Sequence, residues 1–213
     1  MNAAQDGDII DLPAPTYNMV GSPNIQHSFT LRAGPAGVEF QGGWGWTVSN
    51  GTLTLDGSFR FNNTKVIRVN SNAAVNALGD LAMLSVGGST MLHLEGLWHS
   101  HGTLSISVNN PGSNRGTWKQ NGVVTAYATN TSQAIKLTLS GVWEQMGPVN
   151  IHLAQGSTGV LAMRDQHTTW RQQNSVLIAA AADSHYDTGV LMAGASPGGG
   201  WMQGGELTIR AAR

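Results

Sequence analysis

The arrangement in this chain that is most similar to a reactive site is a pair of histidines two residues apart. His99 and His101 stand in the run Trp-His-Ser-His-Gly, and residues i and i+2 of a β-strand point to the same side. Two imidazoles on one side can bind a metal ion, and His93 or His152 could supply a third ligand. No acidic residue adjoins the pair to orient it, although Glu95 is near in sequence. His99 and His101 are therefore candidate metal ligands, while surface or interface histidines are the preferred interpretation.

Three carboxylates near the beginning of the chain suggest a second kind of metal site. Asp6, Asp8 and Asp11 lie close together in sequence, and Ca²⁺ prefers several carboxylate oxygens. Under a two-residue period, however, Asp8 and Asp11 do not share a face of a strand. We interpret the three residues as turn formers and part of a solvated strand.

Two Asp-x-His pairs contain residue types of a hydrolytic triad. Asp165 precedes His167, and Asp183 precedes Ser184 and His185. A triad is defined by geometry and not by adjacency, and the chain lacks the Gly-x-Ser-x-Gly turn of many serine hydrolases. A glycosidase needs two carboxylates that face one bond, and the sequence offers no such pair. We therefore predict no catalytic residue, no cofactor and no enzymatic activity, with a polysaccharide lyase or glycoside hydrolase as the alternative.

Seven tryptophans are the remaining residues with a recognisable chemistry. Trp44 and Trp46 are flanked by glycines and can close one end of a core or lie flat on a partner. We expect Trp44, Trp46 and Trp201 among the contacts at an interface, where tryptophan is enriched. The others are Trp98, Trp118, Trp143 and Trp170. They could stack on sugars or anchor a partner, but packing in the core is the simpler interpretation.

The elements that must position these residues are very short strands. Between Asp6 and Val69, apolar residues alternate with polar ones in brief runs that end in Gly, Asn, Asp or Pro. This period predicts half-buried β-strands. Strands this short must stack on copies of themselves to bury enough surface, as in a solenoid. The predicted inward residues are Ile10 and Leu12, Phe29 and Leu31, Val38 and Phe40, Leu53 and Leu55, Phe59 and Phe61, and Val66 and Val69.

The rest of the chain follows this pattern less regularly. Residues 73–79 could form a short helical turn or an excursion from the strands, and residues 176–182 a buried strand or a short helix. The polar residues 109–116 are predicted to form an exposed loop. A unit of one glycine followed by a strand recurs approximately along the chain, but it does not form a countable repeat. Turn asparagines could stack into an amide ladder or be ordinary turn residues; the candidates are Asn63, Asn70, Asn72, Asn109 and Asn110.

The residues at the beginning of the chain resemble those of a known superfamily. D-G-D-I-I-D-L-P-A-P-T-Y at residues 6–17, followed by F-T-L-R-A-G at residues 29–34, is similar to the first two rungs of right-handed parallel β-helices of the pectate-lyase-like superfamily. Pro15 stands where glycine is usual. The similarity covers about the first third of the chain. It implies an all-β fold, a right-handed parallel β-helix at 1–156 with an irregular C-terminal β cap or small subdomain at 157–213; a β-sandwich with antiparallel pairing is the fallback.

Composition limits the partners that this chain can attract. Only 11% of its 213 residues are charged, and the formal net charge is −1. Such a balance predicts no general attraction to nucleic acid or membranes. No apolar run reaches the length of a membrane span, and the first residues lack the features of a signal peptide. A low charge also suits surfaces that partners cover.

The superfamily includes polysaccharide lyases and hydrolases, adhesins, phage tailspikes and virion surface proteins, so the resemblance predicts fold better than function. We expect a non-catalytic structural protein of a virion, on the capsid or tail surface. A phage capsid decoration (cement) protein that bridges shell subunits fits best. The resemblance implies a homotrimer, and the expected partners are the major capsid protein or other virion proteins, with a glycan as a further partner. The alternatives are a tailspike-like or secreted protein that binds or cleaves polysaccharide, and an adhesin fragment.

Overall fold

A computed structural model describes residues 4–43, 45–63, 66–84, 91–107, 112–113, 115–128, 133–137, 140–154, 158–163, 168–180, 188–193 and 200–210. The described residues form 26 short strands and no helix. Each strand pairs in parallel with the strands three positions before and after it in the chain, except that the terminal strand of a sheet has one such partner, and this pairing produces three sheets. The fold is a parallel β-solenoid in which each coil gives one strand to each sheet. The predicted fold class is therefore confirmed, and the β-sandwich is excluded.

The first sheet carries most of the side chains of the candidate site. Its nine strands are β1 (Ile9–Leu12), β4 (Phe29–Ala33), β7 (Gly51–Asp56), β10 (Ala73–Ala77), β13 (Leu97–Ser100), β16 (Thr117–Gln120), β19 (Val142–Gln145), β22 (Thr169–Gln172) and β25 (Gly200–Gln203).

The other two sheets complete the coils. The second sheet contains β2 (Thr16–Asn18), β5 (Val38–Gln41), β8 (Phe59–Asn62), β11 (Leu81–Leu84), β14 (Leu104–Ser107), β17 (Val124–Ala128), β20 (Val149–Leu153), β23 (Val176–Ala180) and β26 (Leu207–Arg210). The third sheet contains β3 (Asn24–Ile25), β6 (Trp46–Val48), β9 (Val66–Val69), β12 (Met91–Leu94), β15 (Gly112–Ser113), β18 (Gln133–Leu137), β21 (Thr158–Met163) and β24 (Thr188–Ala193).

The core fills the interior of the coils with the side chains of alternate strand residues. Ten of the twelve predicted inward residues are buried, and Ile10 packs against the core while partly buried. Val66 is the exception, because β9 turns Ile67 and Val69 inward instead. Residues 66 and 69 are three apart, and a strand with a two-residue period cannot place both on one side.

Three local predictions change in the structure. Residues 73–77 form β10, neither a helical turn nor an excursion, because β7 and β13 pair with both edges of this alanine-rich segment. Alanine has the highest intrinsic helix propensity, but propensity is a weak determinant of structure, and tertiary pairing overrides it here. Residues 176–180 form a strand, β23, which settles the alternative in favour of a strand there, while residues 181 and 182 lie outside the described residues. The predicted loop at residues 109–116 contains the two-residue strand β15, which pairs with β12 and β18.

The segment that was expected to form a cap continues the same architecture. Strands β21 to β26, all after residue 157, extend the three sheets in parallel register. No change of sheet or of strand direction marks residue 156 in the described residues. The boundary itself stays a prediction from the sequence.

Candidate functional site

A column of chargeable side chains runs along the outer face of the first sheet. His99, Lys119, Glu144 and Arg171 occupy the same outward position in four consecutive coils. A carboxylate oxygen of Glu144 lies 3.5 Å from Nζ of Lys119, and the other lies 2.7 Å from Nη1 of Arg171. These opposite charges join neighbouring strands, as cross-strand pairs commonly do.

A second group of ion pairs lies on the same face near the N-terminal end. Arg32 reaches Asp11 at 3.5 Å on one side and Asp56 at 3.2 Å on the other. The three residues belong to three successive coils. Exposed ion pairs of this kind contribute little energy each, but they match one strand register only.

The two candidate metal ligands are neighbours on this face. The ring centroids of His99 and His101 are 4.1 Å apart. Nε2 of His101 lies 3.1 Å from Oδ1 of Asn76, and its Nδ1 lies 3.2 Å from Nδ2 of Asn121. A proton on Nε2 satisfies both contacts, because the ring then donates to Asn76 and accepts from Asn121. His101 thus connects the coils before and after its own.

Neither of the two predicted third ligands, His93 and His152, lies beside the histidine pair. His93 lies on β12 in the third sheet and His152 on β20 in the second sheet, whereas His99 lies on the first. The described residues contain no group of three His, Asp or Glu that could hold a metal ion. Burial lowers the pKa of His99, and the neighbouring His101 lowers it further. Both effects favour the neutral ring.

The acidic residues at the beginning of the chain serve the backbone and a neighbouring coil. Oδ1 of Asp6 accepts a hydrogen bond from the backbone N–H of Ser28 at 2.6 Å, and Oδ2 of Asp8 accepts one from the N–H of Gln5 at 2.8 Å. Asp11 pairs with an arginine, as described above. The residues considered for a triad lie outside the described residues: Asp165, His167, Asp183, Ser184 and His185.

A column of stacked tryptophans fills the interior beneath this face. Five of them occupy one inward position in consecutive coils of the first sheet. The ring centroids of Trp143 and Trp170 are 4.9 Å apart with an interplanar angle of 8°, and those of Trp170 and Trp201 are 4.6 Å apart with an angle of 3°. We call this the tryptophan column: Trp98, Trp118, Trp143, Trp170 and Trp201.

A column of glutamines lies beside the tryptophans, two residues further along each strand. Nε2 of Gln145 donates to the carbonyls of Gly122 at 2.9 Å and Gly147 at 3.0 Å. Nε2 of Gln172 donates to Gly147 at 3.0 Å and to Asn174 at 3.1 Å. Each amide therefore joins the corner of its own coil to the corner of the coil before it. The glutamine column consists of Gln120, Gln145, Gln172 and Gln203.

The corner that these amides reach is a glycine in four coils, at Gly102, Gly122, Gly147 and Gly205, and Asn174 in a fifth. A Cβ atom added to Gly122 would overlap the carbonyl of Gly102, and one added to Gly147 would overlap that of Gly122. At Gly122 and Gly147 the backbones of successive coils thus approach too closely for a Cβ atom. Glutamines form this amide column in the described residues, and the asparagine candidates Asn109 and Asn110 lie outside them.

The motif Trp-x-Gln is the signal in the sequence that reveals both columns. It occurs as T-W-K-Q, V-W-E-Q, T-W-R-Q and G-W-M-Q at residues 117–120, 142–145, 169–172 and 200–203. Residues 97–100 are a variant with serine in place of glutamine, and Oγ of Ser100 accepts a hydrogen bond from Nε1 of Trp98 at 2.7 Å. This motif differs from the unit of one glycine followed by a strand, and the interpretation based on that unit misses it.

The tryptophans proposed for an interface differ in position. Trp46 is buried within its own chain, with ring centroids 4.8 Å from Phe40 and 5.4 Å from Phe61. A side chain that is only 1% exposed has no surface to offer a partner, which corrects the expectation for Trp46. Trp201 is partly buried in the last coil. Trp44 lies outside the described residues.

A polar cavity of about 500 Å³ lies beside the second sheet, towards the N-terminal end. Oε1 of Glu39 accepts hydrogen bonds from the side-chain amides of Gln41 at 2.7 Å and Asn62 at 2.9 Å. These two contacts hold the pKa of Glu39 below its ordinary value. They also leave the amide oxygens of Gln41 and Asn62 as acceptors. The cavity is lined by Asn18, Met19, Gln41, Gly42, Asn62 and Asn63.

No family model, curated protein or solved structure matches the chain. No helix in the described ranges is long and apolar enough to cross a membrane. The class of protein is defined by the fold and its internal columns: a parallel β-solenoid whose aromatic and amide side chains connect one coil to the next.

Proposed function

We propose that the chain is a structural protein of a virion surface, and in particular a phage capsid decoration (cement) protein that bridges shell subunits. The observation that supports this function best is the pair of internal columns. Stacked indoles and amides bonded to two corners tie the coils from Trp118 to Trp201 to one another, and close packing transmits strain instead of absorbing it. A bridge between subunits needs such a body, because its contact points must keep a fixed spacing.

The outer surface supports the same function. Glu144 is paired with Lys119 and Arg171, and Arg32 with Asp11 and Asp56. Much of the remaining outer face carries Thr, Ser, Asn and apolar residues. Surfaces of low charge are typical of the central part of protein interfaces. The partners in this proposal are the major capsid protein and two further copies of the chain in a homotrimer.

The resemblance of residues 6–17 and 29–34 to the pectate-lyase-like β-helices adds weight, since that superfamily includes virion surface proteins. The test is to locate the chain in particles. An antibody against the purified protein, coupled to gold, is applied to the particle fraction of a lysate from cells that carry the gene. Label spread over the shells supports a decoration protein. Label at the tail supports the tailspike-like alternative, and intact particles without label contradict both.

A polysaccharide-binding protein, tailspike-like or secreted, is the second candidate, and the cavity beside the second sheet favours it. The oxygens of Gln41 and Asn62 are fixed as acceptors by Glu39 and are suited to receive sugar hydroxyl groups. The test is binding to a glycan array, together with a reducing-sugar assay beside an active lyase. Asn62→Leu should abolish binding, whereas the control Ser105→Ala, on the same outer face away from the cavity, should not. If the native chain binds no glycan on the array, this candidate function is contradicted.

A further inference from the structure

The histidine pair on the outer face of the first sheet has a polar partner in the coil on each side. Nε2 of His101 lies 3.1 Å from Oδ1 of Asn76 in the preceding coil, and its Nδ1 lies 3.2 Å from Nδ2 of Asn121 in the following coil. An amide oxygen only accepts hydrogen bonds, so Asn76 keeps the proton of the neutral ring on Nε2. The lone pair of Nδ1 therefore faces Asn121.

Asn121 is also a neighbour of the second ring. Burial lowers the pKa of His99, and a hydrogen bond between its ring and the side chain of Asn121 acts in the opposite direction. One nitrogen of each ring is thus directed at the same amide. The ring centroids of His99 and His101 lie 4.1 Å apart. The two nitrogens and the amide of Asn121 therefore converge on a small volume outside the sheet.

The separations in this volume match the coordination shell of a tetrahedral metal ion. Zinc binds imidazole nitrogen at about 2.0–2.1 Å, so two of its ligand atoms lie about 3.3 Å from each other. The distance from Nδ1 of His101 to the amide of Asn121, 3.2 Å, is nearly the same. A half-turn of this amide places its oxygen, a metal ligand, where its nitrogen lies. Histidines that bind metals usually donate their other N–H to an oxygen, as Nε2 of His101 does to Asn76.

We propose that His99, His101 and Asn121 bind one Zn²⁺ ion, through one nitrogen of each ring and the amide oxygen of Asn121. Imidazole ligands suit Zn²⁺ and its neighbours Cu²⁺ and Ni²⁺, whereas Ca²⁺ and Mg²⁺ prefer oxygen ligands. His101 and Asn121 are exposed, so water completes the coordination. The ligands belong to two successive coils and Asn76 to a third, and the bound ion fastens these coils together. The site does not depend on a virion role.

Two charged residues beside the site should change its affinity in opposite directions. Lys119 occupies the position next to His99 in the following coil, and its charge repels a metal ion. A carboxylate oxygen of Glu144 lies 3.5 Å from Nζ of Lys119 and offsets part of this repulsion. We therefore expect Lys119→Gln to bind zinc more tightly than the native chain, and Glu144→Gln to bind it more weakly.

Isothermal titration calorimetry of the full chain with zinc chloride tests the site. We expect one saturable site per chain. His99→Ala and His101→Ala should each weaken binding by more than about 100-fold, since the loss of an outer-shell partner alone costs about 10–100-fold. Asn76→Ala should fall within that range, and Asn76→Asp should restore the affinity, because a carboxylate is the stronger acceptor. The control His152→Ala, an exposed imidazole stacked on Tyr127 in the second sheet, should bind zinc like the native chain.

Thermal melting gives a second readout, because a ligand that binds only the folded state raises the melting temperature. Zinc should raise the melting temperature of the native chain and of His152→Ala, but not that of His101→Ala. Circular dichroism checks that each variant is folded. Failure of the native chain to bind zinc saturably overturns the proposal. Native affinity in His99→Ala, His101→Ala or Asn121→Ala, or a loss in His152→Ala as large as in His101→Ala, overturns it as well.

Discussion

Replacing Trp143 with alanine should show whether the tryptophan column holds the coils together. The Trp143 side chain is fully buried, and its ring centroid lies 5.6 Å from that of Trp118 and 4.9 Å from that of Trp170. Truncation of a buried tryptophan costs about 3–5 kcal/mol. Stacked pairs are worth about 0.5–1.5 kcal/mol each beyond burial, and this variant loses two. We therefore expect the free energy of unfolding to fall by the upper part of that range, about 4–5 kcal/mol.

The matched control is Trp201→Ala at the end of the same column. Trp201 is only partly buried and stacks on one neighbour, Trp170. Less buried area and one lost stack should limit the cost to about 1–2 kcal/mol. Urea denaturation followed by circular dichroism measures both variants, because tryptophan fluorescence changes whenever a tryptophan is removed. The denaturant slope checks that unfolding remains cooperative, as stacked repeats do not guarantee it.

Both variants replace a tryptophan with alanine, so the comparison between them isolates the effect of its position in the column. If Trp201→Ala costs as much as Trp143→Ala, stacking between two neighbours does not explain the stability of the column. A loss below about 2 kcal/mol for Trp143→Ala would mean that the site collapses freely around the deletion. Either result would refute the assignment of the column as the main connection between the coils.

Three further predictions concern the corner, the histidines and the charges. Gly122→Ala should destabilise the protein by about 1–3 kcal/mol or more, because the added Cβ meets the carbonyl of Gly102. The control Gly21→Ala should not, because its Cβ has open space around it. Thermal melting compares the two variants. The lowered pKa of His99 means that the folded state disfavours protonation of its ring, so the stability of the protein should fall as the pH drops below about 6.5. The variant His99→Asn should flatten this pH dependence. Thermal melts between neutral and mildly acidic pH measure it. Glu144→Gln should cost only about 0.5–1.5 kcal/mol in chemical denaturation, and the difference should shrink at 1 M salt, since both ion pairs are exposed.

The β-solenoid could be predicted from sequence because its local signals agree with one another. Runs such as Phe29 to Leu31 and Phe59 to Phe61 show the two-residue period over three residues and then stop at turn formers. A strand of that length gains stability only from neighbours on both edges, so the pattern itself requires stacking. Residues 73–77 lacked this signal, because alanine is compatible with helix or strand. The pairing of β10 with the coils on both sides decides its conformation.

The internal columns could not be predicted because the motif that forms them has no constant spacing. Twenty residues separate Trp98 from Trp118, and 31 separate Trp170 from Trp201. The strands have similar lengths in every coil, so the connecting segments absorb the difference. A search for a fixed period therefore fails, although T-W-K-Q and T-W-R-Q are nearly identical. Which tryptophans stack follows from the order of strands in the sheet, which the sequence does not state.

The glutamine column also explains how a solenoid with an apolar interior keeps one register. Apolar side chains of similar size tolerate a slip between coils, and a slip of one residue would exchange the inner and outer faces. An amide that must reach carbonyls in two successive corners, as Gln145 reaches Gly122 and Gly147, makes both bonds in one register only. A slip would leave the buried N–H groups of the amide unpaired, which costs about 1–3 kcal/mol. Gln203 makes the same two kinds of bond, to the carbonyls of Asn174 and Gly205, so the amides fix the register as far as the last described strand of the first sheet.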